Sequence, residues 1–312
     1  MKIGLHDADV LNLRNRVKFP NFALMKISAW HKARDDIVER WNALEDYDAV
    51  YSSKVFTFTP ENKYLPPDTI KGGTGYDIKS RLPPEIEKCR PDYSIYPECD
   101  YVIGFVTRGC PNNCPWCCVP EKEGGITPYS EIKDIADGWR NIVLMDNNIL
   151  ASDHGIRELE KCAYSIDINQ GLDTRLVDRH IADILARIHW TKYIRFACDR
   201  LSAVKPLMRA VKLLNERGVS SSRIFVYFLV RDIAEAMDRV RELRQLGTIT
   251  LYAQAYRDFK NPEKPVDKEA YYFATKYIYS GQWRKYDWYD TPWGKRFLSD
   301  NIDNKNSEVY RL

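Results

Sequence analysis

Residues Arg108-Gly-Cys-Pro-Asn-Asn-Cys-Pro-Trp-Cys-Cys-Val119 decide how the rest of the chain is read. Cys110, Cys114 and Cys117 fall there in a Cys-x3-Cys-x2-Cys spacing, directly after the strand-like run 101–107. Gly109, Pro111 and Pro115 keep the segment out of helix and strand. Three thiolates on one short loop can therefore converge on a metal centre. The adjacent Cys118 offers a second reading, a four-cysteine zinc knot, since Zn2+ favours closed tetrahedral sulfur sites. Neighbouring cysteines rarely reach one ion, however, and structural zinc sites usually come as two separated pairs, so Cys118 is read as a packed thiol beside the loop.

Outward from the loop, strand-like and helical stretches alternate, the pattern of parallel strands joined by crossovers. Strands are expected at 101–107, 141–145, 163–168, 192–197, 223–230 and 248–253. A helix over 130–139 would turn Ile132, Ile135 and Trp139 inward, and Ser152 caps a helix carrying Ile156 and Leu159. Ile181, Ile184, Leu185 and Ile188 make a buried stripe at i, i+3, i+4, i+7. Val204, Leu207, Met208 and Val211 make another, ended by Gly218. Asp232 and Glu235 form a capping box for a helix with Ile233, Met237, Val240 and Leu243.

On Cys110, Cys114 and Cys117, with aromatic Trp116 just before the third, the loop resembles that of the radical S-adenosylmethionine (SAM) enzymes. The resemblance implies a [4Fe-4S] cluster with three irons held by cysteine and the fourth chelated by the amino and carboxylate groups of SAM. It implies cleavage of SAM by the reduced cluster to methionine and a 5'-deoxyadenosyl radical, which takes hydrogen from a substrate. It also implies an α/β fold, a partial (β/α)6 barrel, and an electron donor such as flavodoxin or ferredoxin. Trp116 would lie near the adenine.

Ligands of parallel α/β folds lie at the carboxyl ends of the strands, so the polar residues there are site candidates. Asp146, Asn147 and Asn148 stand where the family has a motif, often Gly-Gly-Glu, that bonds the amino group of SAM, and they offer acceptors for an ammonium. A plain Asx turn is the structural alternative. Asn169 and Gln170 can bond a ribose or a substrate amide, Asp173 can accept from hydroxyls, and Arg175 can clamp a carboxylate. Arg195 and Asp199 flank the fourth strand end, where the family often binds the ribose or carboxylate of SAM. An Asp-Arg salt bridge is an equal role for either pair. Gln254, Tyr256 and Arg257 end the sixth strand.

Before the loop, strands at 2–5 and 49–56 and helices at 21–31 and 35–44, the latter with Ile37, Trp41 and Leu44 on one side, suggest a small α/β layer. A short strand over 69–76 ends in Gly72, Gly73 and Gly75, read as a tight turn rather than a phosphate loop. This unit resembles the degenerate cobalamin-binding or methylthiotransferase-type domains that precede many radical SAM cores. Those binding cobalamin through histidine carry Asp-x-His-x-x-Gly; His6 and Asp153-His154-Gly155 do not match it. Only Cys89 and Cys99 precede the cysteine loop, so cobalamin and a second cluster are both disfavoured. Pro83, Pro84, Pro91 and Pro97 mark 81–99 as a linker. The expected domains are 1–80, the linker 81–99, a core 100–260 and a C-terminal extension 261–312.

In that extension Trp283, Trp288 and Trp293 alternate with Arg284, Lys285, Lys295 and Arg296. Such a segment can stack bases, but the favoured reading is a cover over the core, with a docking helix over 270–280. The net charge of +3, from 47 basic and 44 acidic residues, gives nucleic acid no independent support. With 312 residues, 44% hydrophobic and 12% aromatic, the chain can bury a sizeable core. Eight cysteines with three in a ligand cluster suit a reducing compartment. No secretory signal follows Met1, and the most apolar run, 224–230, is too short for a bilayer; a cytoplasmic protein is expected. The function these features predict is a radical SAM enzyme acting on an unidentified substrate, with nucleotide, RNA and peptide as candidates. The alternative is a non-catalytic protein with a structural iron-sulfur or zinc site.

Overall fold

The computed structural model describes residues 1–10 and 19–299. The rest of the C-terminal extension, 300–312, lies outside the described residues. The chain divides into two compact units, 1–104 with 112–125, and 105–111 with 126–312.

In the first unit, β1 (Lys2–Asp7), α1 (Phe22–Lys32), β2 (Ile37–Arg40), β3 (Ala49–Ser53) and β4 (Ile70–Gly72) build a parallel sheet in the order β2-β1-β3-β4. The Asn21 side chain accepts the Leu24 N–H and starts α1. Leu24 and Ile27 then pack with Ile3 and Leu5. The helix expected over 35–44 is instead β2. Asp35, at φ 61°, turns the chain out of α1, and β-branched Ile37 and Val38 pair with Lys2 and Ile3. Leu44, placed on the apolar side of that helix, is 92% exposed.

The stretch 81–99 is more than a linker. There α2 (Pro84–Glu87) begins on a proline whose missing N–H is harmless in the first turn. Ile86 enters the core around Ile3, and Leu82 and Ile95 pack against it. The unit is completed by β5 (Val102–Gly104) and α3 (Val119–Lys122).

The second unit opens with β6 (Thr107–Arg108), antiparallel to β7 (Thr127–Pro128). The single strand expected over 101–107 is therefore broken. Its physical cause is distant in sequence: a buried carboxylate, Asp146, takes the N–H groups of Val106 and Thr107. Next come α4 (Ile132–Ala136), β8 (Asn141–Leu144), α5 (Asp153–Glu160), β9 (Ser165–Ile168), α6 (Arg179–Arg187) and β10 (His189–Trp190). β8 pairs parallel with β9, and β9 with β10. A second parallel ladder holds β11 (Ile194–Ala197), β12 (Ile224–Val230) and β13 (Thr250–Ala255), with α7 (Val204–Asn215) and α8 (Ile233–Leu243) as crossovers. One parallel bridge, Leu172 to Phe196, links the chain after β9 to β11. The architecture is mixed α/β with parallel sheets.

Three local expectations change. The helix over 130–139 ends at Ala136, because Asp137 (φ 41°) and Gly138 (φ 90°) turn left-handed, and Trp139 is exposed rather than inward. Asp232 accepts the Glu235 N–H at 2.8 Å, but the Glu235 carboxylate does not close the capping box. It accepts from Leu201 N–H and pairs with buried Arg239. The docking helix over 270–280 starts as α9 (Lys268–Tyr272) and widens into a π-helix, Phe273–Ile278.

This extension covers its own unit. Trp283 and Trp288 are buried, Arg284 donates to the Gly247 and Ile249 carbonyls, and Arg241 and Arg244 pair with Asp287. Arg284, one of the cations interleaved with the aromatics, is thus engaged by backbone. No helix among the described residues is long and apolar enough to cross a membrane.

Candidate functional site

Asp146, Asn147 and Asn148 leave the end of β8, and a strand whose alternate residues are buried delivers every second one inward. Asp146 is 1% exposed. Its carboxylate accepts the Val106 N–H at 3.1 Å, the Thr107 N–H at 2.5 Å and the Thr107 hydroxyl at 2.7 Å. Burial pushes this carboxyl up to about 6, the donated bonds opposing it. Asp146 therefore fixes the backbone three residues ahead of Cys110 and is not open to a ligand.

The titration has a testable sign. Because the folded carboxyl sits above its unfolded value, the native state holds the proton longer, and this group's contribution to stability falls as pH rises from about 4 to about 6. The change amounts to about 3 kcal/mol. Asp146→Asn should flatten that slope, read as denaturation midpoints at pH 4 to 7; parallel curves for the two proteins would contradict it.

Asn148, also buried, turns its amide N–H2 toward Cys110 Sγ at 3.6 Å and Asp173 Oδ2 at 3.5 Å. Its Oδ1 is buried and accepts nothing. Asn169, just past β9, bonds through its backbone, to Leu144 and to the Tyr227 hydroxyl, while its side-chain Oδ1 is likewise buried and unsatisfied. Buried amide oxygens are ordinarily paired, since leaving one bare costs about 1–3 kcal/mol. Two at the ends of adjacent strands leave acceptors that the N–H or O–H donors of a water or a ligand can fill.

The charged candidates are largely committed to the protein. Arg175 makes a two-pronged ion pair with Asp173. Arg195 pairs with Asp167 instead of Asp199 and donates to the Ile168 carbonyl, and burial lowers its pKa. Asp199 accepts the Leu229 N–H, and burial raises its carboxyl. For Asp173 and Arg175 the structure thus shows the salt-bridge alternative rather than the carboxylate clamp, whereas the Arg195–Asp199 pairing is replaced by Arg195–Asp167. Gln170, Gln254 and Arg257 are exposed, and Asn147, Trp116 and Tyr256 are half-buried.

Sequence reasoning missed Asp167 and Thr107. Alternation along β9 was the available signal for Asp167, which shares the half-buried side with Ser165. Nothing local marks Thr107.

None of the eight cysteines is in a disulfide. Cys110 belongs to the second unit, Cys114 and Cys117 to the first. Within the first, the Cys117 N–H donates to the Cys114 carbonyl at 3.0 Å and the Val119 N–H to Cys117 Sγ at 3.5 Å, so the turn curls around that sulfur. Among the described residues no group of three or more His, Cys, Asp or Glu side chains is arranged to hold a metal ion. The ligand set accordingly rests on the loop's spacing. No family model and no curated protein matches the sequence.

Proposed function

We propose that this chain is a radical SAM enzyme, its [4Fe-4S] cluster held by Cys110, Cys114 and Cys117. The observation that carries the reading is the Cys-x3-Cys-x2-Cys loop with a buried, unsatisfied amide oxygen, Asn148 Oδ1, on the side chain beside its first cysteine. The donor set fits: three thiols outside any disulfide for iron and an acceptor for an ammonium. When bound, the cluster and SAM supply a one-electron cleavage that no side chain can perform.

The chain's own residues bind and orient. Asp146 fixes the loop's entry, Asn148 presents Oδ1 to the amino group of SAM, and Asn169 presents a second acceptor for a hydroxyl or amide. The six strand-helix units from 101 to 255 are, on this reading, the partial barrel that holds the substrate.

The test is anaerobic reconstitution followed by SAM and dithionite. Formation of 5'-deoxyadenosine is expected, and at least tenfold less from Asn148→Leu, which keeps the volume and removes the acceptor. A SAM pool left intact by iron-loaded wild-type protein contradicts the reading.

A further inference from the structure

In the first unit the chain passes from β1 to β2 on one side and then to β3 on the other, so the carboxyl ends of β1 and β3 form the crevice where open parallel sheets take ligands. The residue directly after β3 is Lys54. It is 6% exposed, and among the described residues no carboxylate pairs with it; its ammonium lies over the Tyr76 ring, 4.5 Å from the centroid. The lysine's stem is thus enclosed by the protein, while its charge faces an aromatic ring rather than a carboxylate. The nearby buried carboxylate, Asp9, is engaged by the Val55 N–H and the Thr59 hydroxyl.

The glycine turn is built around this lysine. Gly73, at φ 96°, and Gly75 pass so close that a Cβ would meet the Lys54 carbonyl at 2.5 Å and its Cγ at 2.7 Å. The Gly75 N–H donates to the same carbonyl at 2.8 Å. The Tyr76 hydroxyl bonds the Ser52 hydroxyl at 2.9 Å, and Ser52 in turn bonds His6 Nδ1 at 2.8 Å. Two residues on, Phe56 is 44% exposed and stacks on Phe58 with centroids 5.1 Å apart.

A fixed cation beside an exposed aromatic face is the chemistry that holds a phosphate and stacks a base. We propose that the strand ends of the first unit bind a nucleoside phosphate, with its phosphate on Lys54 and its base on Phe56. This site does not depend on the radical SAM reading, because none of its residues belongs to the cysteine loop or the β8 strand end.

The probes are adenosine, guanosine, cytidine and uridine 5'-monophosphates, the corresponding nucleosides, and a uridine hexanucleotide, titrated calorimetrically into the full chain without iron. At least one monophosphate should bind about tenfold or more tightly than its nucleoside. Lys54→Met should lose about tenfold in that affinity, and Lys54→Arg should keep most of it. Phe56→Ala, an exposed change that leaves the fold intact, should also lose about tenfold or more. A hexanucleotide binding far more tightly than the monophosphate identifies the source as a polynucleotide; equal binding identifies a free nucleotide. The proposal is overturned if no monophosphate binds at millimolar concentration, if nucleosides bind equally well, or if folded Lys54→Met or Phe56→Ala binds as wild type does.

Discussion

Cys117→Ala should abolish both cluster assembly and SAM cleavage, whereas Cys118→Ala, one residue on, should leave both near wild type. The contrast follows from the spacing. A cluster held at three corners fails when one thiolate is removed, because that iron is exposed to exchange and the remaining two sulfurs no longer enclose the cube. Cys118 is not needed as a ligand on this account, and as a partly buried thiol it tolerates a small apolar replacement. Iron analysis of anaerobically reconstituted proteins checks it, with about four irons per chain in wild type and Cys118→Ala. A four-cysteine zinc knot would behave otherwise, losing its metal with either substitution. Loss of iron from Cys118→Ala would therefore count against the three-thiolate reading.

Trp288→Ala should destabilise the second unit by about 3–5 kcal/mol, the range for emptying a large aromatic site. Trp288 is buried, packs edge-on against Phe273 at 5.5 Å and Tyr277 at 5.8 Å, and donates its indole N–H to Glu269 at 2.8 Å. It ties the later part of the extension to α9 and the π-helix at its start, and that π-helix lies against β13, where the Tyr279 hydroxyl just beyond it reaches the Ala253 carbonyl. Trp288→Phe should recover most of the loss, leaving about 1 kcal/mol for the missing hydrogen bond. Urea denaturation checks both, as a shift in midpoint with little change in slope. A Trp288→Ala protein within 1 kcal/mol of wild type would show that Trp288 does not hold the extension together.

The sequence was most informative where structure follows from local pattern. β12 is apolar along its whole length because both of its sides are at least half-buried, so the run 224–230 reads directly as an interior strand. The stripes of α6 and α7 are equally plain, and the caps expected at Ser152 and Asp232 both accept the N–H groups three residues on. Errors arose where the deciding contact is remote. Ile37, Trp41 and Leu44 meet helical spacing by coincidence, and only pairing with β1 makes the segment a strand. The break between Gly104 and Thr107 lies where Asp146, about forty residues later in the chain, takes the backbone N–H groups. At the candidate site the polar residues were visible, and so was a salt bridge as one role for Asp173 and Arg175, but the rest of their division of labour was not. Asp146 binds backbone, Arg175 and Arg195 are taken by carboxylates, and Asn148 and Asn169 keep an acceptor unsatisfied. Polarity is written in sequence; whether a polar atom already has a partner is settled only by folding.

The central claim is that three thiolates leave one iron for an amine-bearing cofactor. It is tested most directly by electron paramagnetic resonance of the reduced, anaerobically reconstituted protein before and after SAM is added. The account predicts a [4Fe-4S] signal whose shape and g-values change on adding SAM, with that response weakened in Asn148→Leu. A protein that assembles no such cluster, or one whose spectrum is untouched by saturating SAM, would contradict it.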